Sequence, residues 1–201
     1  MTDSASPTGE FNAKLTAIRG QLDEQGRRVL AICEAAFDAF FADDARAAAR
    51  AIELDEPIDR ADVAIENQSV ELLCDAARAG HALPPNRLRE VLVIVKANNE
   101  LERIADCAVT IAEQVTGTNG SSLLPETSRV MTNSVLGVLQ DACGCLEKSD
   151  PDLAKRVLRS EDAIIGFRRA LRQFAEANRE LADAPELQAA LSRAGKILVE
   201  E

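Results

Sequence analysis

From about Glu10 to Ala42, apolar residues recur at Leu15, Ile18, Leu22, Val29, Ile32, Ala36 and Phe40. This is the alternating three-and-four spacing of a helix with one buried stripe. Asp43-Asp44 ends that helix and caps a second one, running from about 44 to 79. Pro57 lies inside this second stretch. Proline lacks an N–H and clashes with the preceding turn, so a kink near Glu53 is expected rather than a break. Gly80-His81-Ala82-Leu83-Pro84-Pro85 reads as a loop, and Pro85-Asn86 open a third helix that reaches about Val115. The run TGTNGSS at 116–122 is the strongest linker signal in the chain. Helical periods then resume over about 125–147, 150–181 and 185 to the end, with Ser149-Asp150-Pro151 as a turn.

The third helix interrupts its own pattern. At about 100° per residue, Leu88, Val91, Val95, Asp106, Val109 and Glu113 all fall within about 40° of Glu102. The stripe is apolar for two turns, acidic at Glu102 and Asp106, and apolar again at Val109. Carboxylates on a core stripe are costly unless paired, protonated or bound to a cation. The second helix carries an acidic line of its own: Asp55, Asp59, Asp62 and Glu66, spaced 4, 3 and 4 apart. Leu54, Ile58 and Ile65 border it on one side, Ile52, Val63 and Val70 on the other. Two readings stay open on these residues alone. One is a pair of solvated acidic faces with local ion pairs such as Arg103 to Asp106. The other is two acidic lines facing each other in a bundle, a set of hard oxygen ligands suited to Mg²⁺, Mn²⁺, Ca²⁺ or iron.

Composition narrows the class. Ala, Leu, Glu and Arg dominate and there is no Trp or Tyr, which indicates an all-α protein; 46% hydrophobic with 28% charged residues indicates a globular one. With 34 acidic against 23 basic residues the formal charge is −11, which opposes binding to a phosphate backbone. No apolar run approaches the ~20 residues that span a bilayer, and no signal peptide opens the chain, so a cytoplasmic protein without membrane insertion is expected. Cys33, Cys74 and Cys107 read as small buried apolar residues. Cys143 and Cys145, two apart, point in different directions and do not chelate one metal from within a helix. The single histidine, His81, sits in a loop, so the two Glu-x-x-His motifs of di-iron carboxylate bundles are absent. No phosphate loop, nucleophile elbow or Cys/His arrangement is present, and no enzymatic activity is expected.

The chain also repeats itself. Ala42-Asp43-Asp44-Ala45 resembles Ser149-Asp150-Pro151-Asp152, and a shift of 106 aligns Ile52, Asp55 and Ile58 with Leu158, Glu161 and Ile164. A three-helix unit used twice is the natural reading.

These residues resemble a known family. Glu100-Leu-Glu102-Arg103-Ile104-Ala-Asp106-Cys-Ala-Val-Thr-Ile-Ala-Glu113 is similar to the signature of the PhoU family, usually D-L-E-R-I-G-D-H-A-V-N-I-A-E. The approach Pro-Pro-Asn-Arg87-Leu88-Arg89 to Val95-Lys96 and the segment Ala-Ile-Glu-Leu-Asp55-Glu-Pro-Ile58-Asp59 resemble the same family. The likeness covers about 11–116 well and 125–180 weakly. It implies an all-α fold of two similar three-helix bundles, six antiparallel helices with the last one short. The corresponding division is a disordered tail over 1–9, a first repeat over 10–116, a linker over 117–124 and a degenerate or truncated second repeat over 125–201. The resemblance further implies metal cations at carboxylate clusters, iron first, with Mn, Mg or Zn as alternatives. Asp55, Asp59, Glu102 and Asp106 match the positions that would hold them. It implies a homodimeric, non-enzymatic regulator linking a phosphate ABC transporter ATPase to a sensor histidine kinase. Such a regulator represses the phosphate-starvation response and is recruited to the inner face of the membrane through those partners. Ala105 and Cys107 replace the usual Gly and His, and in the second half Asp59 aligns with Ile165 while no E-R-x-x-D is found. The chain thus ends early or is a fragment, and one competent metal site at most is expected. A structural helical adaptor without a metal site is the competing expectation.

Overall fold

The computed structural model describes residues 7–80, 82–115 and 125–179. They form six helices: α1 Pro7–Ala42, α2 Ala45–Ile52, α3 Asp55–Arg78, α4 Pro85–Glu113, α5 Thr127–Lys148 and α6 Pro151–Arg179. No strand occurs among the described residues. His81, the linker and the final helix expected from 185 onward lie outside the described residues, as do the first six positions of the expected disordered tail. The remainder of that tail does not behave as expected, because α1 begins at Pro7, where a missing N–H and a fixed φ suit a first helical turn.

The long α1 is the spine. It packs against α2, α3 and α4 on one side and against α5 on the other, while α6 packs on α5. Its stripe of Leu15, Ile18, Leu22, Val29, Ile32, Ala36 and Phe40 is buried as the periodicity predicts. Ile58, Ile65 and Leu72 of α3, with Val91, Ile94, Leu101, Ala105 and Ala108 of α4, complete one continuous core. Gln25 is fully buried within it, donating from Nε2 to the Ile58 carbonyl at 2.8 Å. The α5 side approaches α1 at Gly26, where an added Cβ would lie 3.0 Å from the Cys143 sulfur. Farther along, the Arg129 guanidinium sits 4.4 Å above the Phe41 ring. Arg19 spans the halves, donating to Glu90 of α4 at 2.9 Å and to the Ser149 hydroxyl at 3.0 Å.

Pro57 does more than kink its helix. The chain breaks at Glu53-Leu54 into α2 and α3. Without a Pro57 N–H the Glu53 carbonyl has no helical donor, and Leu54 N–H turns tightly back to Ala51 O at 3.0 Å. The broken turn starts α3 at Asp55.

The turn opening α2 recurs 106 residues later with the same hydrogen bonds. Asp43 (φ 50°) and Ser149 (φ 51°) both take the left-handed conformation. Asp44 N–H reaches Ala39 O at 3.0 Å, and Asp150 N–H reaches Cys145 O at 3.1 Å. Asp44 Oδ1 then accepts from Arg46 and Ala47 N–H, as Asp150 Oδ1 does from Asp152 and Leu153 N–H. Each side chain satisfies the free donors of a helix start.

Those backbone donors hold both carboxyls below the usual aspartate range. A lowered folded pKa contributes stability that is present above the unfolded value, 3.8, and is lost as the pH falls through the folded one. Asp44→Ala is therefore expected to lower the melting temperature at neutral pH, with the deficit shrinking below pH 3.8. An acid titration of wild type and variant side by side checks this; a deficit of constant size down to the lowest pH would contradict it.

Candidate metal centre

The acidic lines lie on the shoulder between α3 and α4. Asn98 of α4 is fully buried and fixes the two antiparallel helices in register. Its Nδ2 donates to Asp62 Oδ1 at 2.6 Å and to the Asp62 carbonyl at 3.1 Å. Neither partner was singled out as a site residue by the sequence pattern, although Asp62 belongs to the acidic line. Asn98 precedes Glu102 by one helical turn, and a polar residue on the apolar stripe was the available signal.

The stripe on α4 is centred differently from the expectation. Its buried residues are Val91, Ile94, Asn98, Leu101, Ala105, Ala108, Ile111 and Ala112. Glu102 is half-buried at its edge, whereas Leu88, Asp106 and Glu113 are exposed. On α3, Asp55 and Asp62 are half-buried and Asp59 and Glu66 exposed. The carboxylates thus flank the core instead of lying inside it. Cys33 is buried as expected, Cys107 is half-buried, and Cys74 is exposed, on a solvent-facing position of α3.

Electrostatically the two lines meet. Burial pushes the Glu102 carboxyl above its ordinary range, reinforced by the charges of Asp106, Asp62, Asp59 and Asp55. Burial likewise raises Asp55, with Asp59 and Asp106 adding to it, and Asp62, with Glu66 and Asp59 adding to it. Opposing charge is missing: among the described residues no Lys or Arg pairs with Asp55, Asp59, Asp62, Glu102 or Asp106. The bases nearest in sequence turn elsewhere. Arg103 pairs with Glu100 at 3.0 Å instead of the anticipated Asp106, because that partner lies on its own exposed side of α4. Arg60 pairs with Glu56 at 2.9 Å. Asp55 Oδ1 is buried with no hydrogen-bond partner, a position that costs free energy until something positive or a donor reaches it.

This donor set fits a hard cation in chemistry: all oxygen, several like charges, one orphaned buried oxygen atom. As placed, no three His, Cys, Asp or Glu side chains among the described residues stand close enough together to hold an ion. Uncompensated carboxylates repel, and separation is their lower-energy arrangement.

Residues 22–115 match the family model described as "PhoU domain". The chain is 30% identical over 130 residues to the phosphate-specific transport system accessory protein PhoU homolog 1 of Thermotoga maritima, covering 63% of this chain and 54% of that protein. It is also 30% identical over 159 residues to the phosphate-specific transport system accessory protein PhoU of Escherichia coli, covering 78% of this chain and 64% of the relative. The chain therefore spans between about half and two thirds of the length of these curated relatives. Its fold is shared with the crystal structure of the phosphate transport system regulatory protein PhoU from Streptococcus pneumoniae, at TM-score 0.77 and 20% identity, covering 94% of each chain. PhoU from Pseudomonas aeruginosa superimposes with TM-score 0.75 at 24% identity, over 94% of this chain and 92% of the other. The solved structures share the fold, residues 22–115, which include α4 and the acidic start of α3, carry the PhoU domain, and with the curated relatives this places the chain in the PhoU family.

Proposed function

We propose that the protein is a metal-binding regulator of phosphate uptake and phosphate-starvation signalling. It acts as a non-enzymatic adaptor between the ATPase of a phosphate ABC transporter and a sensor histidine kinase. The relatives named above are accessory proteins of phosphate-specific transport, which supports the regulatory setting. No helix among the described residues is long and apolar enough to cross a membrane. In this reading the adaptor works from the cytoplasmic side, as a homodimer reaching the membrane through its partners.

The observation that carries the metal reading is the carboxylate group on α3 and α4 without a basic partner. Asp55 and Asp59 from α3, with Glu102 and Asp106 from α4, would hold the cation. Iron is the first candidate, with Mn, Mg or Zn as alternatives. A bound cation supplies positive charge that offsets the mutual repulsion of these groups. The chain contributes the rest: Asn98 clamps α3 to α4 beside the site, and the break at Glu53-Leu54 delivers Asp55 at the first turn of α3.

Elemental analysis of purified full chain tests the reading. Iron, Mn, Mg or Zn in near-stoichiometric amount is expected in wild type and is expected to be lost from an Asp59→Asn/Asp106→Asn variant of equal helicity. Metal at equal levels in both, or in neither, would leave the structural adaptor as the better reading. Co-purification with the transporter ATPase and the kinase tests the adaptor role separately, and capture of neither partner would overturn it.

A further inference from the structure

The repeat carries the charge of α3 over into α6 with its sign reversed. The shift of 106 that superimposes the two turns places Ile165 where α3 has Asp59, Arg168 where it has Asp62, Arg169 where it has Val63 and Arg172 where it has Glu66. The register is fixed by the hydrogen-bonded turns and by a core position, since Leu171 is buried at the equivalent of Ile65. The whole of α6 carries seven Lys or Arg against four Asp or Glu, in a chain of net charge −11. The equivalent helix α3 carries two against seven.

Ile165, Arg168, Arg169 and Arg172 line an open cleft of about 280 Å³. At helical spacing these residues share one face, and like charges one turn apart, such as Arg168 and Arg172, repel. Among the described residues no carboxylate pairs with Arg169 or Arg172. Guanidinium groups present planar forks of donors that match the oxygens of a phosphate, and they stay charged at any physiological pH. A cation has no place on this face.

We propose that this face of α6 binds a phosphate dianion, so that the repeat has turned a cation-type face in its first half into an anion site in its second. The site is independent of the metal reading: it rests on α6 and the repeat register, and it is tested with metal removed.

The test is isothermal titration of inorganic phosphate into the full chain, in chelator and at constant ionic strength. Saturable binding is expected, weakened about tenfold or more in Arg169→Gln/Arg172→Gln. The matched control Arg156→Gln/Arg159→Gln removes the same charge from positions roughly 120–180° away on the helix and is expected to bind as wild type does. Circular dichroism confirms equal helicity, and Arg169→Lys/Arg172→Lys provides a second variant that keeps charge while losing the forks, with intermediate binding expected. A titration with phosphoserine distinguishes the sources: tighter binding than inorganic phosphate assigns the site to a phosphorylated protein, equal or weaker binding to the free ion. Unsaturable heats in wild type, or equal weakening by the two glutamine pairs, would reduce α6 to a solvated basic surface and overturn the proposal.

Discussion

Asp106→Ala is expected to abolish the metal-dependent part of the melting temperature while leaving helicity intact. A ligand that binds only the folded state stabilises it by mass action, roughly 2.7 kcal/mol at a hundredfold excess over the dissociation constant. For a chain of this size that is roughly 5–11 °C. The sign without metal is what separates the readings. Asp106 is exposed and makes no ion pair, since Arg103 is engaged by Glu100 at 3.0 Å. Its charge raises the cost of ionising Asp55 and Glu102. Removing it in chelator relieves repulsion, so stability should stay level or rise. Thermal melts of wild type and variant, each in chelator and in excess Fe²⁺, Mn²⁺ or Mg²⁺, provide the four measurements. Equal destabilisation with and without metal would mean that Asp106 holds the fold together directly, and the cation reading would fail.

The helices were legible because period and breakers agreed. α1 carries one apolar stripe broken only by Gln25 and Gly26, and the Gly- and Pro-rich stretch falls between the end of α3 at Arg78 and the start of α4 at Pro85. The 106-residue repeat was legible from a few residues because Asp44 and Asp150 do the same capping work. What periodicity misjudged was rotation. A window centred on Glu102 includes Val91 and Val109 but also Leu88, which is exposed, and it omits Leu101 and Ala105, which are buried. Ala105 is small and weakly apolar, yet it is fully buried in the core, so counting large hydrophobic side chains undervalues it. Pro57 marks the position, but whether it kinks the helix or breaks it is a tertiary matter, decided here with Gln25 of α1 bonded to the Ile58 carbonyl just past the break.

The site was legible in its residue types and illegible in its clamp. Spacing alone brought Asp55 and Asp59 onto one face and Glu102 and Asp106 onto another. Only the fold supplies the register between those faces, because Asn98 and Asp62 are 36 residues apart and neither predicts the other. The charge reversal on α6 was likewise present in the sequence. It became visible once the two turns were shown to share hydrogen bonds, since that fixes which arginine stands at which carboxylate position.

The second large effect is expected from packing instead of charge. Ile58 lies between Asp55 and Asp59 in sequence but on the apolar row that borders the acidic line, fully buried, with its carbonyl accepting from Gln25 at 2.8 Å. Truncating a buried isoleucine loses transfer energy and leaves a cavity, so Ile58→Ala should cost about 2–5 kcal/mol. Its repeat equivalent, Ile164, is only half-buried, and Ile164→Ala should cost less than about 2 kcal/mol. Urea unfolding of both variants measures this, with shifted midpoints and unchanged slopes expected. The loss at Ile58 should be the same in chelator and in metal, unlike the loss at Asp106, because a cavity behind α3 removes contacts that do not depend on charge. If Ile164→Ala proved as costly as Ile58→Ala, the half-buried side chain on α6 would be packing as a full core residue. The asymmetry between the halves would then be confined to the charges on their surfaces.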